Sequence, residues 1–264
     1  MIPLIMKFGG AAVASAERFA KVADIILTRL QEGNSHLVIV VSAMGKTTDE
    51  LMALAKVVHP NPPKREQDML ISVGERVSIA LLAMALHAKG QEAISFTGSQ
   101  SGIITSTHHS EALIVDVRPK RILKELEAKK VVIVAGFQGV SQAGEITTLG
   151  RGGSDTSAVA LAAGLGADKV EFYKDVAGIG ERDPKQFPDA AIYSTLTYEQ
   201  ALSICQSGAK VLHPRCISLA EKNQISLHVI PFENIQAKGT LIGVQGRASP
   251  KSATYEMEQQ ACSL

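Results

Sequence analysis

Short runs of apolar residues recur along the chain, each closed by glycine or polar residues: LIMKF at 4–8, HLVIVVSA at 36–43, EAISF at 92–96, VVIVAGF at 131–137, KVEFY at 169–173 and ISLHVI at 225–230. Runs of this length without polar alternation read as strands buried on both faces. Between them the spacing changes to that of helices, over 16–31, 69–89, 118–129, 155–164 and 198–206, the third of which places Ile122, Leu123 and Leu126 on one face. Alternating strand and helix predict an α/β fold, a three-layer α/β/α sandwich around a mostly parallel central sheet. Ligands of such sheets gather at the carboxyl ends of the strands.

The segment 57–67, with three prolines and several charges, predicts a surface loop between helices, and 99–114, rich in hydroxyls and carrying His108 and His109, predicts a second loop or a hairpin. Neither has the composition of a linker and there is no internal repeat. Residues 1–246 therefore read as a single domain and 247–264 as a polar, frayed tail.

With 45% apolar residues the chain can bury a substantial core, while a formal net charge of +1 without long runs of one sign offers nothing to nucleic acid or a membrane surface. A small molecule is the expected partner. Cys205, Cys216 and Cys262 lack CxxC spacing, fit neither a disulfide framework nor a zinc site, and read as reduced thiols. The start, MIPLIMKFGG, lacks the basic residues and longer apolar stretch of a secretory signal, and no segment reads as long and apolar enough to span a bilayer, so a cytoplasmic location is expected.

Two glycine clusters carry candidate chemistry. Lys7-Phe8-Gly9-Gly10 ends the first strand and precedes a helix, a pattern open to phosphate binding through bare backbone N–H groups and equally to an ordinary tight turn. It is neither a Walker A loop nor a GxGxxG fingerprint. Gly150-Arg151-Gly152-Gly153-Ser154-Asp155 directly precedes an apolar helix, for which Ser154 or Asp155 can serve as N-cap. Capping leaves unexplained an arginine bracketed by glycines, which suits a fork of donors around a carboxylate.

Together the motifs are specific. KFGG, VVSAMGKTTDEL at 40–51, SVGER at 72–76, GFQG at 136–139, TTLGRGGSDTSA at 147–158, DVAGIGERDPK at 175–185 and SGAKVLHP at 207–214 follow the order and spacing of aspartokinases, which the chain resembles from about residue 7 to 242. The resemblance implies the amino-acid kinase fold, with an amino-acid-binding N-terminal lobe and a nucleotide-binding C-terminal lobe, and transfer of the γ-phosphoryl group of ATP, with Mg2+, to the β-carboxylate of aspartate. It implies Lys7 and Asp155 as catalytic, Asp155 orienting the lysine. Ser42, Thr48, Glu75, Arg151 and Ser154 would line the substrate pocket, with Arg151 on the α-carboxylate and Glu75 on the ammonium. Lys7, Gly9, Gly10, Lys174, Asp175, Gly180, Lys185, Lys210 and Val211 would serve the nucleotide. No protein metal ligand is implied. A homo-oligomer, in the simplest case a dimer, is the expected assembly.

By itself Glu75-Arg76 reads as a solvated helical ion pair, Ser42 as a strand-end residue, Lys210 as a helix C-terminal lysine and His213 as structural. Three departures from the family pattern stand out: Ala11 and Ala12 replace the hydroxyls that usually follow KFGG, Lys174 replaces the threonine of the usual YTD, and Gly180 replaces an aromatic residue. A missing donor at the transferring group costs about 2–4 kcal/mol. The paired ACT domains of many aspartokinases are not expected in this chain, nor a response to lysine or threonine through them. Phosphorylation of another amino acid or carboxylate, or a low-activity homologue serving as regulatory or scaffold subunit, are the competing readings.

Overall fold

A computed structural model describes residues 2–181, 191–209, 211–243 and 252–257. From the N-terminus, β1 (Leu4–Phe8) runs through a 3-10 turn (Gly10–Val13) into α1 (Ala16–Gln31), β2 (Leu37–Val41), α2 (Thr47–Val58), α3 (Lys64–Ile71) and α4 (Val73–Ala88). Then come β3 (Ala93–Phe96), α5 (Gly98–Ser101), β4 (Ile103–Thr105), β5 (Ile114–Val117), α6 (Lys120–Glu127), β6 (Val131–Ala135), β7 (Gln138–Ser141) and β8 (Ile146–Thr148). The second half holds α7 (Gly153–Leu165), β9 (Lys169–Lys174), β10 (Thr195–Leu196), α8 (Tyr198–Gln206), α9 (Pro214–Asn223), β11 (Ser226–Pro231) and β12 (Thr240–Ile242).

The main sheet is eight-stranded, ordered β10-β12-β11-β9-β1-β2-β6-β3, and only the β11–β12 pairing is antiparallel. Successive side chains of β1 enter different layers. Ile5 packs with Val170, Phe172 and α7 on one face, while Leu4, Met6 and Phe8 pack with α1 and α4 on the other. Both faces are covered, which is why the strands are apolar without alternation. The α/β/α sandwich read from the sequence is the fold observed.

Three expectations need correction and one is sharpened. The loop expected at 57–67 shrinks to 59–63, because α2 runs to Val58 and α3 starts at Lys64. The prolines fall in and beside that gap, with Pro63 at the N-cap of α3, where its missing N–H loses no helical bond. Of the two forms expected for 99–114 the hairpin is found: β4–β5 belongs to a separate four-stranded sheet, β5-β4-β7-β8, whose strands are too short to carry a pattern. The tail does not fray throughout: residues 252–257 dock on α9 and β5, where Thr254 and Asn223 exchange two 2.8 Å hydrogen bonds. Finally, the helical stretch Lys64–Ala88 does have the length and apolarity of a membrane span, with a window of mean hydropathy 1.8. It is a core helix on one side, burying Ile79, Leu82 and Leu86, and exposes Val73, Val77, Leu81 and Met84 on the other.

Candidate active site

Because β1, β2, β6 and β9 are parallel neighbours, their carboxyl ends deliver Gly9, Ser42, Gly136 and Lys174 to one edge of the sheet. A cleft of about 510 Å³ opens at that edge, and Lys7, Gly10, Ser42, Thr48, Glu75, Arg151, Ser154 and Asp155 all line it. The proposed catalytic pair and acceptor residues therefore share one cavity. A larger hollow of about 860 Å³ lies at the opposite, amino end of β1, β9 and β11 and contains none of them.

Lys7 shares the β1 face of Ile5, the face covered by α7, and Asp155 stands in the first turn of that helix. The N-cap of α7 is Gly152, with φ +72°, so neither Ser154 nor Asp155 caps the helix and both are free to face the cleft. Lys7 Nζ lies 2.6 Å from Asp155 Oδ1, off the direction of a hydrogen bond, so the contact is an ion pair. Lys174 Nζ donates to Oδ2 at 3.0 Å. Burial by itself would raise the Asp155 carboxyl, but Lys174 and Lys7 together overcome it and hold the group at about 2. Burial pushes the Lys7 ammonium down, Asp155 pulls it up and the neighbouring Lys174 pushes it down again, with a net lowering.

Glu75, 2% exposed, lies in the first turn of α4. Its place depends on Gly74: a Cβ there would stand 2.7 Å from the Ala43 Cβ, so only glycine lets α4 approach the 42–43 backbone so closely. Oε1 accepts from the Ala43 N–H at 3.0 Å, while Oε2 is buried with no hydrogen-bond partner among the described residues. Desolvation raises the carboxyl to about 7 against the pull of its backbone hydrogen bonds and of Lys7. The ion pair with Arg76 read from the sequence is not found, since Arg76 is exposed and Glu75 points inward.

Arg151 is exposed at the tip of a loop between Gly150, φ +71°, and Gly152, φ +72°, and makes no ion pair among the described residues. The loop is braced from below by Asp68, a residue the sequence reading passed over. Fully buried, Asp68 accepts from Thr148 Oγ1 at 2.6 Å, from Thr148 N at 3.1 Å and from Ser110 N at 3.0 Å, and meets His109 Nδ1 at 2.8 Å. Its partners lie about 40 and 80 positions away along the chain, so no local pattern announces it.

The nucleotide set is more dispersed. Lys174 joins the cleft through Asp155, Asp175 is exposed just beyond β9, and Gly180 forms an isolated bridge with Ile192. Val211 is buried in the core, which leaves its backbone for any ligand. Gly9 lies beside the Lys7 ammonium, and Gly10 packs so tightly on the 43–45 turn that a Cβ would come within 2.9 Å of Ala43 O. Lys185 and Lys210 lie outside the described residues. His213 is the N-cap of α9, accepting from Arg215 N at 3.3 Å, which fits its structural reading. Cys205 and Cys216 are free and buried, and Cys262 lies outside the described residues.

Residues 3–231 match the model of the amino acid kinase family. The chain belongs to that family. Among its amino acid kinase relatives, the aspartokinase of Geobacillus stearothermophilus is 51% identical over 240 residues, covering 90% of this chain and 58% of the relative. The aspartate kinase structure from Synechocystis superposes with a TM-score of 0.82 at 45% identity, over 96% of this chain and 41% of that one. E. coli aspartokinase III in complex with aspartate and ADP gives a TM-score of 0.78 at 26% identity, over 93% of this chain and 65% of that one. The chain thus spans between about two fifths and two thirds of the length of these relatives.

Proposed function

We propose that this amino acid kinase phosphorylates the side-chain carboxylate of aspartate with ATP, giving aspartyl 4-phosphate. The observation that carries the reading is a single cleft in which a buried Glu75 oxygen and an Arg151 guanidinium, both without a partner among the described residues, stand beside the Lys7–Asp155–Lys174 cluster. An amino acid brings an ammonium for Glu75 and an α-carboxylate for the Arg151 fork, which leaves its side-chain carboxylate to point toward the lysines. The likeness to a kinase solved with aspartate and ADP supports the same pair of ligands.

The acceptor carboxylate is already ionised near neutral pH, so the chemistry needs no general base. Its difficulty is the approach of an anion to a polyphosphate, which alignment and fixed positive charge relieve. Lys7 supplies that charge, and Asp155, ionised between two ammonium groups, keeps both lysines in place. Ser42, Thr48 and Ser154 complete the polar wall around the acceptor. Gly9 and Gly10 offer backbone to the phosphates, and Asp175, Gly180 and Val211 lie toward the nucleotide.

The donor set fits a magnesium ion carried on the nucleotide's phosphates: no three His, Cys, Asp or Glu side chains converge among the described residues, and both Asp155 oxygens are engaged by lysines. Such an ion would neutralise part of the charge on the phosphates. For the expected homo-oligomer, the exposed α4 stripe of Val73, Val77, Leu81 and Met84 offers an apolar face.

The test is an ADP-release assay across a panel of amino acids with hydroxylamine present, which traps acyl phosphates as hydroxamates. Hydroxamate dependent on aspartate and Mg2+ is expected. ADP release supported only by an N-acyl amino acid or a nucleoside monophosphate would sink the assignment.

A further inference from the structure

Residues 252–257 reach the acceptor side of the cleft through one side chain. The Glu256 carboxylate grips the Arg215 guanidinium with two hydrogen bonds, Nε to Oε1 at 2.7 Å and Nη2 to Oε2 at 2.9 Å. The same guanidinium donates through Nη2 to Ala112 O at 3.1 Å and through Nη1 to Leu149 O. Leu149 is the last residue before the Gly150-Arg151-Gly152 loop. Arg215 lies in the first turn of α9, whose N-cap His213 abuts the same loop: a Cβ on Gly152 would fall 2.1 Å from the His213 ring.

The other anchors of the segment lie on different elements. Glu256 Oε2 accepts from Ile114 N at 2.9 Å, and Glu256 N donates to Ile114 O at 3.1 Å, so the segment is held along β5. Thr254 is held by Asn223 at the end of α9, and Tyr255 packs on the core beside Gly164 of α7. Residues 252–257 therefore form a strap from β5, in the small sheet that carries the acceptor loop, to α9 behind it.

We propose that Arg215 and Glu256 are positioning residues for the acceptor site, acting through Leu149 to hold the loop that presents Arg151. A planar guanidinium has enough fixed donors to serve two carbonyls and a carboxylate together, and the carboxylate fixes its orientation. Without Glu256 the fork is free to swing, Leu149 O loses its donor, and a loop with positive φ on both sides of Arg151 relaxes. The acceptor then meets a less organised clamp, while Lys7, Asp155 and Lys174 stay as they were. The expected kinetic consequence rests on the aspartate reading; the expected loosening of the loop does not.

The test uses the full chain with Glu256→Gln, Arg215→Lys and, as a ceiling, Arg151→Ala. Amide hydrogen exchange at 149–153 reads the loop directly, and hydroxamate kinetics read the site. In Glu256→Gln, exchange at 149–153 should quicken and the aspartate KM rise about tenfold, with kcat and the ATP KM within about twofold of the parent. Arg215→Lys should behave the same way, because an ammonium keeps the charge and loses the fork. Unchanged exchange at 149–153 in both variants overturns the proposal. So does a uniform loss in kcat and both KM values with a lowered Tm, which marks general destabilisation. If the parent shows no aspartate-dependent turnover, the proposed function fails, and the exchange comparison still decides whether the strap positions the loop.

Discussion

Glu75 and Asp155 are buried carboxylates lining one cleft, and they are held in opposite conditions. Asp155 faces two ammonium groups, one on each oxygen, and its carboxyl is held at about 2. Glu75 accepts from the Ala43 N–H on one oxygen and has no hydrogen-bond partner on the other among the described residues, and burial lifts its carboxyl to about 7. Burial alone pushes both upward, so the difference lies in whether the protein supplies the counter-charge. Where it does, the carboxylate is a fixed part of the machinery. Where it does not, the site is left with a demand that an arriving cation can meet, and the missing charge describes the ligand.

The largest effect should come from removing one of Asp155's cations. Lys7→Ala is expected to lower kcat by more than about a hundredfold while the aspartate KM changes little, since its charge matters most as the phosphoryl group moves. Steady-state hydroxamate kinetics give both constants. A near-normal kcat would leave the Lys7–Asp155 pair as a helix anchor and the contrast with Glu75 without chemical content.

The Glu75 side of the comparison titrates near neutrality. Its folded value near 7 lies above the ordinary glutamate value of 4.5, so the unfolded chain ionises first. Its contribution to stability is therefore fully present at low pH, declines as pH rises from 4.5 to about 7, and is level above that. Acceptor binding runs the other way, because the ammonium needs the ionised form. Aspartate should bind about tenfold more weakly at pH 6 than at pH 8, with a proton released on binding below neutrality. Calorimetry in buffers of different ionisation heat measures both quantities. Glu75→Gln should abolish the pH dependence, and its persistence in that variant would place the titration elsewhere.

A smaller effect is expected at Lys174. Lys174→Thr leaves Asp155 with Lys7 alone, so kcat should fall by less than about tenfold. Asp155's contribution to stability is present above the ordinary aspartate value of 3.8 and lost as pH falls toward 2, and losing one cation narrows that window. Urea denaturation followed from pH 5 to pH 2 should show an acid decline that starts at the same pH as in the parent but is smaller and levels off at a higher pH. An unchanged acid limb would mean that Lys174 contributes nothing to Asp155's ionisation.

Elements whose burial follows from a local pattern were legible in the sequence. LIMKF is β1 and 198–206 is α8 to the residue, and α1 spans 16–31 as its spacing requires. α2 and α9 are not apparent in the sequence, because a glycine-rich approach and a His-Pro boundary mask the helical spacing. The small sheet was missed because its strands hold three or four residues, too few for any period. The cleft's membership came from ordered motifs, and all of its acceptor residues line one cavity. What those motifs could not convey was electrical. Nothing in Glu75-Arg76 says that one of the two is buried without its neighbour, and nothing in Tyr173-Lys174-Asp175 says that the lysine reaches Asp155 across 19 positions. Those relations belong to the packing of α4 on the 42–43 turn and of α7 on β1 and β9, which are set by contacts distant along the chain.

The order of these parts along the chain also orders their appearance during synthesis. Lys7 is made well before the groups that surround it, on a strand whose flanking partner, β9, pairs Ile5 with Val170. A nascent chain therefore carries that lysine long before Asp155, Lys174 and the centre of the sheet exist to surround it. Arg151 follows, and the carboxylate that fixes Arg215 beneath its loop comes later still, at Glu256. A ribosome-bound chain can close its main sheet and still lack the brace on the acceptor loop, so the loop is fixed only after the sheet is complete.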